Sequence, residues 1–210
     1  MPKLVVTSFV TLDGIMQAPG GPREDRSGGF PHGGWVMPLF DEGLGAFMTE
    51  VFDRAGAFLL GRGTYDIFAA FWPKVTDPKD PVASRLNRLP KYVASRTLAH
   101  SEWGGTIFLR DVPAEVERLK RSDLQGELQV HGSPDLIQTL LAYELIDELN
   151  VIQFPLVLGA GKRLFGPGTI PAAFRLAGGR TTEKGVVIGT YRLAGRPASG
   201  DATVQDPRTP

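Results

Sequence analysis

The run Ala57-Phe58-Leu59-Leu60 is apolar without interruption, and Gly61-Arg62-Gly63-Thr64 follows it directly before the amphipathic stretch Thr64–Phe71. A strand with no polar alternation is covered on both faces, and a strand passing through a tight turn into a helix is half of a βαβ unit. Such a unit needs a parallel neighbour and a second layer of helices.

The rest of the chain repeats the pattern. Leu4–Val10 reads as a β-rich strand stopped by the turn Leu12-Asp13-Gly14. Asp41–Arg54 places Leu44, Phe47, Met48, Val51 and Phe52 at helical spacing. Lys91–Ala94, Thr106–Leu109 and Leu128–Val130 are short strands, with Pro73–Pro90 a mixed polar connector before the first of them. Pro113–Arg121 and Leu136–Glu144 are helices; Ser133 stands as N-cap and Pro134 as first residue of the second. Glu148–Leu158 is a long strand, and Phe174–Glu183 with Val186–Leu193 brackets Lys184-Gly185 as a hairpin. The expected fold is α/β with three layers, α/β/α, around a mixed, mostly parallel sheet that closes on an antiparallel C-terminal hairpin. One domain is expected over residues 1–194, with residues 195–210 a flexible, aperiodic tail.

Composition removes several classes of function. Lys plus Arg and Asp plus Glu both number 23, so no bulk charge draws the chain to nucleic acid or an anionic membrane. With no cysteine there is no disulfide, thiolate chemistry or Cys-based zinc site. His32, His100 and His131 lack metal-ligand spacing, so no metal is expected. No apolar run approaches the length of a membrane span, and Met-Pro-Lys leads straight into Leu4 without signal-peptide design. The simplest compartment is the cytoplasm.

In open parallel sheets, ligands gather outside the carboxyl ends of the strands. Three turns fall there. Gly61 and Gly63 allow a close backbone approach, Arg62 adds a cation and Thr64 a hydroxyl at a helix start. That turn either seats a phosphate or is only tight and capped. Ser95-Arg96-Thr97 offers two hydroxyls around a forked donor, or is a solvated polar turn. Gly132-Ser133 lets a ligand crowd a second helix start, or merely caps it.

Leu60-Gly61-Arg62-Gly63-Thr64-Tyr65, after a strand ending Thr11-Leu12-Asp13-Gly14, resembles the dihydrofolate reductase-like superfamily. The order of Lys91–Thr97, Val130–Leu141 and Pro155–Gly161 is similar to the branch containing the C-terminal reductase domain of riboflavin biosynthesis. The resemblance spans Lys3 to Leu193. It implies an NADPH-dependent reductase fold, commonly a homodimer. It also implies that Gly61, Arg62 and Thr64 hold the cofactor's phosphates, that Ser95 and Arg96 take the adenosine 2′-phosphate, and that Gly132 and Ser133 underlie the nicotinamide side. Many members carry two glycines at this last point, where this chain has Gly-Ser. Ile15 and Met16 would pack against the nicotinamide ring. The zinc deaminase domain of the bifunctional enzymes needs cysteines, which this chain lacks.

Substrate contacts are sought around the loop Gln17–Pro38, expected as a lid. Trp35 would stack on a flat substrate, or anchor the loop to the body. Asp41 would be a buried carboxylate assisting protonation, or the N-cap of its helix. Asp13 is expected as a turn residue, and Gly159-Ala160-Gly161 as a turn near the site. The expected function is hydride transfer from NADPH to an unsaturated or imine-like small molecule, with pterin- or pyrimidine-like heterocycles among the acceptors. The alternative is a non-catalytic NADPH-binding or regulatory protein of the same fold.

Overall fold

The computed structural model describes residues 1–200. Eight strands form one sheet: β1 Leu4–Thr11, β2 Ala55–Gly61, β3 Lys91–Ala94, β4 Thr106–Leu109, β5 Glu127–His131, β6 Glu148–Phe154, β7 Phe174–Thr181 and β8 Val187–Leu193. Their order is β4-β3-β2-β5-β1-β6-β8-β7. The first six run parallel to their neighbours, while β8 pairs antiparallel with both β6 and β7. This is the expected mixed sheet with an antiparallel C-terminal hairpin.

Five α-helices cover it: α1 Glu42–Asp53, α2 Arg62–Phe71, α3 Pro81–Arg88, α4 Val112–Lys120 and α5 Pro134–Ala142. The uninterrupted run in β2 is explained by its two faces. Phe58 and Leu60 join Leu44, Phe52, Tyr65 and Leu86 in one core, which packs α1, α2 and α3. Ala57 and Leu59 join Val116, Leu119, Ile137 and Leu140 in the other, which packs α4 and α5. Burying a Leu or Phe from both layers contributes roughly 1.5–3 kcal/mol per side chain, which sets the register of the central strands.

Helix α3 lies inside the stretch that reads as a polar connector. Only Ala83 and Leu86 are buried in its eight residues, too few to give a visible period. Its signal is the pair Asp80-Pro81, in which the Asp80 carboxylate accepts from Val82 N and Ala83 N and proline starts the helix. The long strand expected to Leu158 ends at Phe154, because Pro155 has no amide hydrogen to continue the ladder. Helix α2 begins two residues earlier than its apolar pattern, at Arg62.

At the C-terminal end the last ten residues of the expected tail lie outside the described residues. Its first residues are held: Ala173 N donates to Gly195 O, and Arg196 pairs with Glu144 at 3.0 Å. Among the described residues no helix is long and apolar enough to cross a membrane.

Strands β2 and β5 are neighbours, yet the helices that follow them go to opposite faces, α2 to one and α5 to the other. Where adjacent strands send their connections apart, the sheet opens a crevice at their carboxyl ends.

Candidate active site

A cleft of about 640 Å³ occupies this crevice. One wall is built from the starts of α2 and α5, with Gly61, Arg62, Gly63, Thr64, Gly132 and Ser133 lining it. The other wall comes from the first loop and the turn after β6, through Met16, Gln17, Glu24, Asp25 and Lys162.

The first wall is tied together by one hydroxyl. Ser133 Oγ accepts the Gly61 amide at 2.9 Å and donates to Thr64 Oγ1 at 2.6 Å. The contact is close enough that a Cβ on Gly61 would lie 2.8 Å from Ser133 Cβ and Oγ, so only glycine fits. Ser133 reaches this position through a left-handed backbone, φ 69°, directly after Gly132 at φ 71°. The left-handed region is ordinary for glycine and costs other residues about 1 kcal/mol. Ser133 holds the N-cap position of α5, where its carbonyl accepts from Ile137 N at 3.0 Å, but its side chain makes no capping bond to the helix and turns to Gly61 and Thr64 instead.

The contrast with the other helices is informative. Asp41, Asp80 and Asp111 cap α1, α3 and α4 through their carboxylates. Helices α2 and α5, the two that open on the cleft, have no side-chain cap. Their first free amide N–H groups, which in α5 begin after Pro134, and their positive dipole ends face the cleft, and in the first turn of α5 Asp135 adds a carboxylate beside them. A Cβ on Gly63 would meet nothing within 4 Å, so this glycine leaves open space beside those amides.

Arg62 stands at the rim, with Nε 2.7 Å from Asp66 Oδ2 and Nη1 3.5 Å from Thr97 Oγ1. It thus spans the turns after β2 and β3. In the second turn Ser95 is buried, and its hydroxyl accepts from Thr97 N and Leu98 N, which closes the turn. Arg96 is exposed and makes no side-chain hydrogen bond among the described residues. Of this turn's strand, Ala94 lines the cleft, while Ser95 and Arg96 lie beyond its rim.

The opposite wall is a fixed loop. Gln17 Nε2 donates to Asp25 O and Ser27 O, and Gln17 Oε1 accepts from Lys162 N at 3.0 Å. Lys162 Nζ bonds Asp25 Oδ2 at 2.7 Å. Glu24 turns back on its own loop, with Oε2 accepting from Gly20 N at 2.6 Å and Gly21 N at 3.0 Å. Burial holds the Glu24 carboxyl above the ordinary range against the lowering effect of those two amides.

Residues 2–188 match the model of the RibD C-terminal domain. The chain belongs to this family. The uncharacterized protein YyaP of Bacillus subtilis is 27% identical over 196 residues, covering 92% of this chain and 96% of its own length. A putative riboflavin biosynthesis protein from Shewanella superposes with a TM-score of 0.67 at 20% identity, over 91% of this chain and 98% of that one. A diaminohydroxyphosphoribosylaminopyrimidine deaminase/5-amino-6-(5-phosphoribosylamino)uracil reductase from Thermotoga maritima superposes with a TM-score of 0.62 at 13% identity. The match covers 91% of this chain and 56% of that bifunctional protein. The dihydrofolate reductase-like fold follows from these matches.

Within this RibD C-terminal domain, three expected site residues besides Ser95 and Arg96 stand away from the cleft. Trp35 is buried in the core, its Nε1 donating to Gln17 O at 2.8 Å and its ring packed edge-on against Phe154 at 5.2 Å. It is the loop's anchor, and no indole face is left for a substrate. Asp41 is the N-cap of α1, its Oδ1 accepting from Leu44 N and its Oδ2 from Lys184 N. These amides, Leu44 first, hold its carboxyl below the ordinary range, so it is a charged cap against the hairpin and not a buried acid. Ile15 is fully buried against Gly161, and its neighbour Met16 lines the cleft. Ile15 forms an isolated bridge with Arg163, and in extended backbone consecutive side chains point to opposite sides, so of the two expected residues only Met16 faces the cleft.

Asp13 closes the first turn, accepting from Thr11 Oγ1 and from Gly159 N. The residues that sequence reasoning passed over are Glu24, Asp25 and Lys162. Nothing in their spacing marks them, because Lys162 meets Asp25 only through the fold.

Proposed function

We propose that this domain is an NADPH-dependent reductase that delivers hydride to a C=N or C=C bond of a small unsaturated molecule. The observation that carries the reading is the pair of uncapped helix starts, α2 and α5, meeting in one cleft while the other three helices are capped by aspartate. Two adjacent anion seats suit a pyrophosphate. The donor set fits: the backbone amides of Arg62, Gly63 and Thr64, the amides of α5 after Pro134, and the Thr64 hydroxyl, whose oxygen is oriented by the proton of Ser133. The open space at Gly63 is a cradle that any larger side chain would fill.

Arg96, exposed beyond the rim with Thr97 beside it, suits the additional 2′-phosphate, which favours NADPH over NADH. Because the Ser95 hydroxyl is spent on its own turn, the role given to Ser95 reduces to shaping the loop that presents Arg96. Bound NADPH supplies the hydride. The protein orients the reactants, excludes water between Met16 and the helix starts, and holds the loop wall in place through Gln17 and Lys162. The solved structure named in part as a 5-amino-6-(5-phosphoribosylamino)uracil reductase supports a heterocyclic acceptor.

Titrating the purified protein with NADPH, and following the cofactor's fluorescence, tests the reading. Micromolar binding with weaker binding of NADH is expected, followed by NADPH oxidation with a member of a panel of pterins, pyrimidines and cyclic imines. Absence of binding by NADPH, NADP and NADH overturns it. Binding without oxidation across the panel favours a regulatory protein of the same fold.

We also propose a homodimer. The edge strand β7 is exposed along nearly its whole length, and Leu176 on it is 59% exposed. Light scattering on the full chain checks it, with twice the chain mass expected.

A further inference from the structure

Hydride addition leaves a lone pair on the heteroatom of the acceptor, and a proton must reach it. Asp41, the acid expected from the sequence, lies outside the cleft. Glu24 lies inside it. Its two oxygens are not equivalent: Oε2 takes both the Gly20 and Gly21 amide hydrogens, and Oε1 has no protein partner among the described residues. Two amide donors on Oε2 exclude a proton there, so the neutral carboxyl carries its proton on Oε1.

The surroundings keep a proton available. Asp25 is next along the chain and its charge disfavours a second carboxylate, although Lys162 at 2.7 Å offsets much of it. On the facing wall, Arg62 is paired with Asp66 and Asp135 stands at the start of α5. The net charge of Glu24, Asp25, Lys162, Arg62, Asp66 and Asp135, all ionised, would be −2, so a neutral Glu24 relieves the cleft. The same wall is held rigid by Gln17 and Trp35, which fixes where the carboxyl points.

We propose that Glu24 is the acid of the reduction, donating the proton on Oε1 to the heteroatom of the acceptor. The inference rests on the hydride-transfer reading above. In the balanced step the acceptor carbon gains the hydride given up by the reduced nicotinamide, which is left as the oxidised pyridinium. The C=N π bond opens, its electron pair goes to nitrogen, and nitrogen forms a bond to the Glu24 proton. Glu24 is left as a carboxylate and regains its proton from solvent.

The test uses two matched probes with the full-length protein: a nitro-substituted dihydroisoquinoline, which is neutral at pH 7, and its N-methylated cation. The neutral imine needs a proton and the cation does not. Glu24→Gln keeps an acceptor for the Gly20 and Gly21 amides and removes the acid. It is expected to slow reduction of the neutral imine by on the order of 10²-fold or more and to change the cation's rate by less than about threefold. The wild-type rate on the neutral imine falls as pH rises through the Glu24 titration, and the variant lacks that fall.

A second readout needs no turnover. In protein carrying ¹³C at the glutamate carboxyls, one resonance titrates above the ordinary range, is missing from Glu24→Gln, and shifts on saturation with NADP. Equal slowing of both probes, no slowing of either, or an ordinary titration at Glu24 overturns the assignment while leaving hydride transfer standing. Failure of the wild-type protein to reduce either probe, with NADPH bound, overturns hydride transfer and the assignment together.

Discussion

The Gly61 amide and the Ser133 hydroxyl, 2.9 Å apart, join the ends of β2 and β5 and set the spacing between the two uncapped helix starts. The two glycines of the first turn consequently have different jobs. A methyl at Gly61 would press on Ser133, so Gly61→Ala should lose about 1–3 kcal/mol of stability to overpacking. A methyl at Gly63 meets no protein atom within 4 Å. Gly63→Ala should gain about 0.5–1 kcal/mol, since alanine is the better helix residue, yet bind NADPH at least about tenfold more weakly. Urea unfolding beside fluorescence titration separates the two; a Gly63→Ala protein that binds normally would remove the phosphate seat.

Arg96 has no side-chain partner among the described residues, so its removal should leave stability unchanged within about 0.5 kcal/mol. If it faces the 2′-phosphate, Arg96→Ala weakens NADPH by about 10- to 100-fold, the range for a hydrogen bond between charged groups, and leaves NADH nearly untouched. Equal losses for both cofactors would show that the 2′-phosphate sits elsewhere. The measurement is a pair of titrations at one salt concentration.

The parts of this chain legible in its sequence are those with local causes. The unbroken apolar run of β2 announced a covered sheet, and Ser133 before Pro134 announced the start of α5, whereas Asp80 before Pro81 went unread because α3 buries only Ala83 and Leu86. The glycines at 61, 63 and 132 pointed to the cleft because close backbone approach needs that residue type wherever it occurs. What stayed hidden depends on distant partners. Lys162 meets Asp25 across 137 positions, and Glu24 is an ordinary loop carboxylate until the fold encloses it. Trp35 misled for the same reason: an indole in a glycine-rich loop looks available until Gln17 O claims its N–H.

Asp41 provides a check on that correction. Its carboxylate joins the Leu44 and Lys184 amides, binding α1 to the turn between β7 and β8. Asp41→Ala should lower Tm by a few degrees, the usual effect of a lost N-cap in a domain of this size. NADPH affinity and the rate of NADPH oxidation should not change. A large loss of rate without a loss of Tm would return Asp41 to the chemistry.

His131 ties the sheet to pH. It ends β5, is buried, and stacks on Phe52 at 4.6 Å. Gln129 Nε2 donates to Val51 O at 2.6 Å, which turns its Oε1 toward His131 Nε2 at 3.1 Å and places the ring proton there. Burial pushes the His131 pKa down from 6.5 to about 4. Between those values the unfolded chain binds a proton that the folded chain refuses, so stability falls as pH falls through this window. A difference of this size corresponds to about 3 kcal/mol lost by pH 4, on top of the carboxylate contributions. His131→Phe keeps the stack and cannot titrate. It should be less stable at pH 7 by about 1–3 kcal/mol, because Gln129 Oε1 loses its partner, yet show a shallower decline between pH 6.5 and 4. Urea midpoints across that range decide the matter; parallel slopes for the two proteins would mean that His131 is protonated in the folded state.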